Sequence, residues 1–207
     1  MRTRVMCCGA AVAIVVGAVA LAMQPVDEHG HQHEPPKAGA VGISAEHTLL
    51  AELAGNYDAK MSVWASAEAK PVEFAAGVVR RPILGGRFLQ EQLDATTAPT
   101  PFALQTTLGF NLGAKEGPRF ELSRLSSAAS PMIVERGKFD SPNKVFTFTG
   151  EYATDGLNVK SRSVLRLESS EVQVLEVYVA FTGSDPQHEG VNVPEFKAYS
   201  VEYTRRR

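Results

Sequence analysis

The chain has 207 residues, 21 Lys and Arg against 23 Asp and Glu, and 44% hydrophobic residues. That is length and apolar content enough for one domain with a self-sufficient core. A mild acidic balance with no basic cluster inside the domain speaks against nucleic acid as a partner, and both cysteines, Cys7 and Cys8, fall in the first ten residues, so no disulfide is expected to hold the fold.

The opening "MRTRVMCCGAAVAIVVGAVALAMQPV" has a basic head, an apolar or small run from Val5 to Met23, and the small-x-small ending Ala20-Leu21-Ala22. This pattern predicts a signal peptide over 1–22, cleaved before Met23, and hence a periplasmic or secreted protein. An uncleaved membrane anchor is the alternative, although the run is rich in Ala, Gly and Val and poor in strong membrane formers. Cys7 and Cys8 precede the apolar core, whereas a lipid-attachment cysteine would follow it. Loss of Arg2 and Arg4 with the signal leaves nineteen basic against twenty-three acidic residues. Beyond the signal, no membrane contact is expected.

Residues 23–43 are rich in Pro, Gly and charge without apolar periodicity, which reads as a disordered linker. Its His29, His31 and His33 are metal-capable imidazoles, but nothing fixes their geometry, and no metal site is assigned. In "ISAEHTLLAELAGNY" Ser44 suits an N-cap, Glu46 the first turn and Gly55 the stop. Leu49, Leu50 and Leu53 share a face, predicting a helix over 45–54.

After Gly55 the apolar period becomes two. Tyr57, Ala59, Met61 and Val63 alternate; Phe102, Leu104, Thr106, Leu108 and Phe110 share a face; Phe146, Phe148 and Tyr152 follow. "SPNK" at 141–144, "DG" at 155–156 and "SS" at 169–170 mark turns. Ten strands and one helix result, all within one domain over 44–207. An all-β, antiparallel up-and-down barrel is expected, because closing a ten-stranded sheet removes its edges. Gly85 and Gly86, between the second and third strands, are expected at positive φ in a hairpin turn, and pairing should lapse at Pro82.

These stretches together resemble the family of exported bacterial proteins called domain of unknown function 1579. His47, Leu50, Leu53 and Gly55 match its His-x-x-Leu-x-x-Leu-x-Gly-x-Trp opening, with Tyr57 in the tryptophan's place. Leu84 to Phe88 match Leu-Gly-Gly-Arg-Phe, Leu108 to Asn111 match Leu-Gly-aromatic-Asn, and Gly137 to Asp140 match Gly-x-aromatic-Asp. The threonine-rich strand to Gly150 and the closing Tyr203-Thr204-Arg205 complete the pattern, over roughly residues 46–205. The resemblance implies a lipocalin-like (calycin) barrel, similar also to fatty-acid-binding proteins, with the helix near one end; it implies no reaction. Where the family usually carries Trp-x-Asp, this chain has Arg124 and Ser126, so chemistry resting on that pair would be missing.

Nucleophile elbows, zinc-protease helices, P-loops and dinucleotide fingerprints are absent from the sequence. No catalytic residue or cofactor is therefore assigned. The leading expectation is a barrel that holds a small apolar or amphipathic molecule inside, against Phe102, Leu104, Leu108 and Phe110. The strand arginines Arg87, Arg124 and Arg162 are available to a ligand carboxylate if they point inward. Ala59, Ala76, Ala103, Thr107 and Ser163, beside few aromatics, suggest an under-filled lumen of roughly 300–600 Å³, with its mouth at the 182–195 loop. The alternatives are an enzyme using His47 or His188, a structural module, and a haem barrel. Nitrobindins, a distantly related barrel family, bind haem through one histidine, which puts His188 forward as the axial ligand.

Overall fold

The computed structural model describes residues 42–117 and 119–207; the expected signal segment and all but the end of the expected linker lie outside them. Helix α1 spans Ala45–Glu52 and is followed by ten strands. They are β1 Gly55–Val63, β2 Val72–Ile83, β3 Phe88–Ala95, β4 Phe102–Asn111, β5 Arg119–Ser126, β6 Ala129–Asp140, β7 Val145–Thr154, β8 Leu157–Leu167, β9 Val172–Gly183 and β10 Asn192–Arg205. Each strand pairs antiparallel with its chain neighbour, and β10 pairs back onto β1 to close the barrel. The up-and-down closure is the one the sequence pattern predicts.

Strand alternation places Tyr57, Ala59 and Met61 inside, while Asp58 and Lys60 face out. The helix is two residues shorter than expected. It ends at Glu52 with Leu53 as C-cap, and Gly55 already begins β1. Leu50 and Leu53 are buried under the barrel's end, with Leu49 packed beside them. At this end lie the β2–β3, β4–β5, β6–β7 and β8–β9 connections, as the pairing of β1 with β2 and β10 fixes.

Leu84, Gly85 and Gly86 all have positive φ, at 49°, 69° and 81°. That succession turns the chain within four residues, and two of its three positions are glycine because other residues adopt it at a cost. Pairing does not lapse at Pro82, which stays in register with Leu89. The first residue of β1 is opposite Arg80, so Pro82 lies beyond that strand, on an edge where a missing N–H deprives no neighbour.

The lumen is packed. Phe120 meets Phe110 at 4.8 Å and Phe146 at 5.0 Å between ring centroids, and Phe139 meets Phe146 at 4.4 Å. Among the small residues expected to leave it open, Ala59, Ala76 and Ser163 are buried. Ala103 and Thr107, however, alternate with the inward row of β4 and so face out. The interior cavity bordered by Arg80 and Arg124 measures about 40 Å³, far below the expected volume. Aromatic rings of β4 to β7 occupy the space that the small residues concede.

Candidate functional site

Two features of the barrel carry unusual chemistry: a polar stratum in its interior and an open groove at its helix end. The stratum follows from register. Arg80 pairs across to Glu91, Glu91 to Thr106, and Thr106 to Arg124, so four adjacent strands place a polar inward residue at one level.

Arg80 is buried, with its Nε donating to Glu91 at 2.6 Å and a second nitrogen donating to Gln173. Its guanidinium carbon lies 4.2 Å from the Tyr203 ring centroid and 4.9 Å from that of Tyr57. Burial opposes the arginine's charge, but the Glu91 carboxylate and the tyrosine rings outweigh it and hold the pKa above its ordinary value. Gln173 also donates to the Tyr57 hydroxyl, which donates to the carbonyl of Leu53, tying the helix end to the stratum.

Arg124 is held more loosely. It lies 3.7 Å from Glu135 and donates to Ser163 at 3.5 Å, while Ser163 donates to Glu135 at 2.7 Å. Glu135 is fully buried, with one carboxylate oxygen unpartnered, as is the Tyr199 hydroxyl. Burial pushes the Tyr199 phenol up to about 12.

The groove lies between α1 and the ends of β4, β5 and β6. It is open, holds about 730 Å³, and is lined by Leu49, Phe110, Phe120 and Phe139 together with Arg119 and Lys138. Glu46 and Glu52 border it from the helix. Arg119 is engaged by Glu121 and Glu116, each at 3.0 Å, and Lys138 is exposed.

The expected site residues divide accordingly. Leu104, Leu108 and Phe110 share the inner face of β4 with Phe102, which packs edge-on against Phe74 at 5.9 Å. Leu108 borders the interior cavity and Phe110 the groove. Arg124 points inward, as a ligand-pairing arginine should, but it is matched by Glu135. Arg162 does not: it is on the outer wall, in a double hydrogen bond to Glu195 and 4.1 Å over Tyr178. Arg87 is in the β2–β3 turn rather than in a strand.

The two histidines among the described residues are committed. His47 accepts at Nδ1 from the Ser44 backbone N–H at 3.1 Å, closing a capping box. It is buried edge-on against Phe110, 6.1 Å between centroids. His188 lies at the opposite end of the barrel, its Nδ1 2.8 Å from Asp185. The 184–191 segment is hydrogen-bonded to itself and to the β7–β8 turn, where Ser184 donates to the carbonyl of Gly156 at 2.9 Å. The interior, at about 40 Å³, has no room for a porphyrin.

Sequence reasoning missed Arg80, Glu91, Glu135 and Gln173. A signal was present: Arg80 follows Ala76 and Val78 in the buried phase of β2, and Glu91 falls between Leu89 and Leu93 in that of β3. A charge in the apolar phase of a strand marks an inward ion pair.

The glycine and aromatic motifs converge on the helix end of the barrel. A Cβ on Gly109 would come within 2.5 Å of the Phe88 ring, so the aromatic of Leu84–Phe88 lies over the glycine of Leu108–Asn111. A Cβ on Gly137 would meet the Thr147 carbonyl at 2.1 Å and Phe148 at 2.7 Å. Arg205 donates to the carbonyls of Glu52 and Ala54, closing the C-terminus of α1. A ten-stranded antiparallel barrel, plugged at one end by a short helix that these contacts clamp, defines the class. The chain belongs to the DUF1579 family of proteins of unknown function, whose family model matches residues 43–189. The match stops before β10, so the closing Tyr203 to Arg205 lies outside it. No curated protein matches the chain.

Proposed function

We propose that this protein is an exported, non-catalytic binding barrel that seats one small amphipathic molecule in the helix-end groove. The apolar part lies on Phe110, Phe120, Phe139 and Leu49, and the polar end meets Lys138 and Arg119. The groove itself carries the reading. Its volume of about 730 Å³ is that of ordinary small-molecule sites, which combine an apolar floor with a few polar groups. An interior cavity of only about 40 Å³ supports a seat at the barrel's end rather than along its axis. Export rests on the basic head, apolar run and small-x-small ending of residues 1–22.

Titration with 1-anilinonaphthalene-8-sulfonate, an amphipathic anion, tests the site. Binding of about micromolar affinity, roughly 8 kcal/mol, is expected, weakened at least tenfold by Leu49→Glu. Val134→Glu, on the exposed outer wall, should leave it unchanged. Equal dye binding in all three proteins would remove the groove from consideration. Intact mass of the exported form, beginning at Met23, tests the leader independently.

A further inference from the structure

We infer that the interior stratum is a hydration site, built to hold about three water molecules against Glu91, Thr106, Arg124 and Tyr203. The inference stands independently of the groove. Five polar side chains border the interior cavity: Arg80 and these four. Only one carboxylate oxygen of Glu91 is engaged by Arg80. Arg124 has a single long hydrogen bond, to Ser163. Among the described residues, neither the Thr106 nor the Tyr203 hydroxyl has a hydrogen-bond partner. Interior polar groups without a partner cost free energy unless solvated, and ordered water is the usual remedy where space allows. The cavity's 40 Å³, at about 10–15 Å³ per water on this measure, accommodates about three.

Charge selects the guest. Arg80 and Arg124 are balanced by Glu91 and Glu135, 2.6 and 3.7 Å away. An added anion or cation would leave an uncompensated charge in the interior. The groups also demand opposite things: the free oxygen of Glu91 needs a donor, and the Arg124 N–H groups need an acceptor. A neutral molecule that both donates and accepts meets both demands, and at this size that molecule is water. The surrounding Leu108, Leu122, Leu165 and Leu175 keep the water within the polar row.

Water-to-protein NOE and ROE measurements on labelled protein read this directly. Cross-peaks with the sign of long-lived water are expected at the Thr106 methyl and Tyr203 ring, and not at Leu50. Thr106→Val keeps the shape and removes the hydroxyl, and should weaken the Tyr203 cross-peaks at least twofold. Sodium formate, titrated to 100 mM, should give no saturable shift of the Arg124 Nε–H. Two results overturn the inference. One is absence of water cross-peaks in the wild-type protein together with xenon-induced shifts of the Leu108 and Leu122 methyls, the behaviour of a dry cavity. The other is a saturable formate shift, which would make the stratum an anion site.

Discussion

Replacing Glu91 by leucine isolates the strongest interaction of the interior. Arg80 is 5% exposed, so its charge cannot turn to solvent when the carboxylate is lost. Breaking one side of a buried ion pair costs about 3–5 kcal/mol, most of it the penalty of the stranded charge. Arg80 retains the Gln173 oxygen and two tyrosine faces at 4.2 and 4.9 Å, so the lower end, about 3 kcal/mol, is expected. In a domain of this size each kcal/mol moves the melting temperature by about 2–4 °C, giving a loss of about 6–12 °C. Urea unfolding should show a lower midpoint at unchanged slope. The double variant Arg80→Met/Glu91→Leu removes both charges and leaves none stranded. It should be more stable than Glu91→Leu alone, within about 1–2 kcal/mol of the wild type. The reasoning is refuted if Glu91→Leu costs under about 1 kcal/mol, or if the double variant equals the sum of the single ones.

Gly86→Val should cost about 1–3 kcal/mol through backbone strain alone, because φ is 81° and no atom lies within 4 Å of the added Cβ; Gly86→Asn should recover much of it in the same unfolding assay. Glu176, hydrogen-bonded by Lys197 and Arg166 on the outer wall, is held down to about 2 despite partial burial. A depressed carboxylate stabilises the fold above its unfolded value and loses that contribution as pH falls through the folded one. Glu176→Gln should therefore cost about 1–2 kcal/mol at pH 7, after allowance for solvent screening, and almost nothing near pH 2, as urea midpoints across pH will read. Tyr199 behaves oppositely: its raised phenol favours the fold below pH 10, and stability should fall between pH 10 and 12, less steeply in Tyr199→Phe. Gly156→Ala places a Cβ 2.1 Å from an Asp185 oxygen and 2.5 Å from His188 Nδ1. Amide exchange in the 184–191 segment should accelerate severalfold, with the helix end unaffected.

The sequence by itself determined the barrel. A period of two, turn residues at regular intervals and the lack of a second helix leave an antiparallel meander of ten strands, which closes to bury its edges. It also placed the β2–β3 turn, because two adjacent glycines answer a local backbone demand. Parity within a strand was legible too, and it put Phe102, Leu104, Leu108 and Phe110 on one face as the structure does. Which face looks inward on each neighbouring strand was not, because a shift of one residue exchanges every side chain. That is why Arg124 and Arg162, alike in sequence, part company: one enters the interior against Glu135, and the other pairs with Glu195 outside. The fullness of the lumen was likewise a tertiary matter. It depends on how rings from β4, β5, β6 and β7 meet across the axis, and on whether a Cβ is missing where Phe148 passes Gly137. The groove forms only where α1 leans over the strand ends, since neither the helix nor the strands alone enclose any volume.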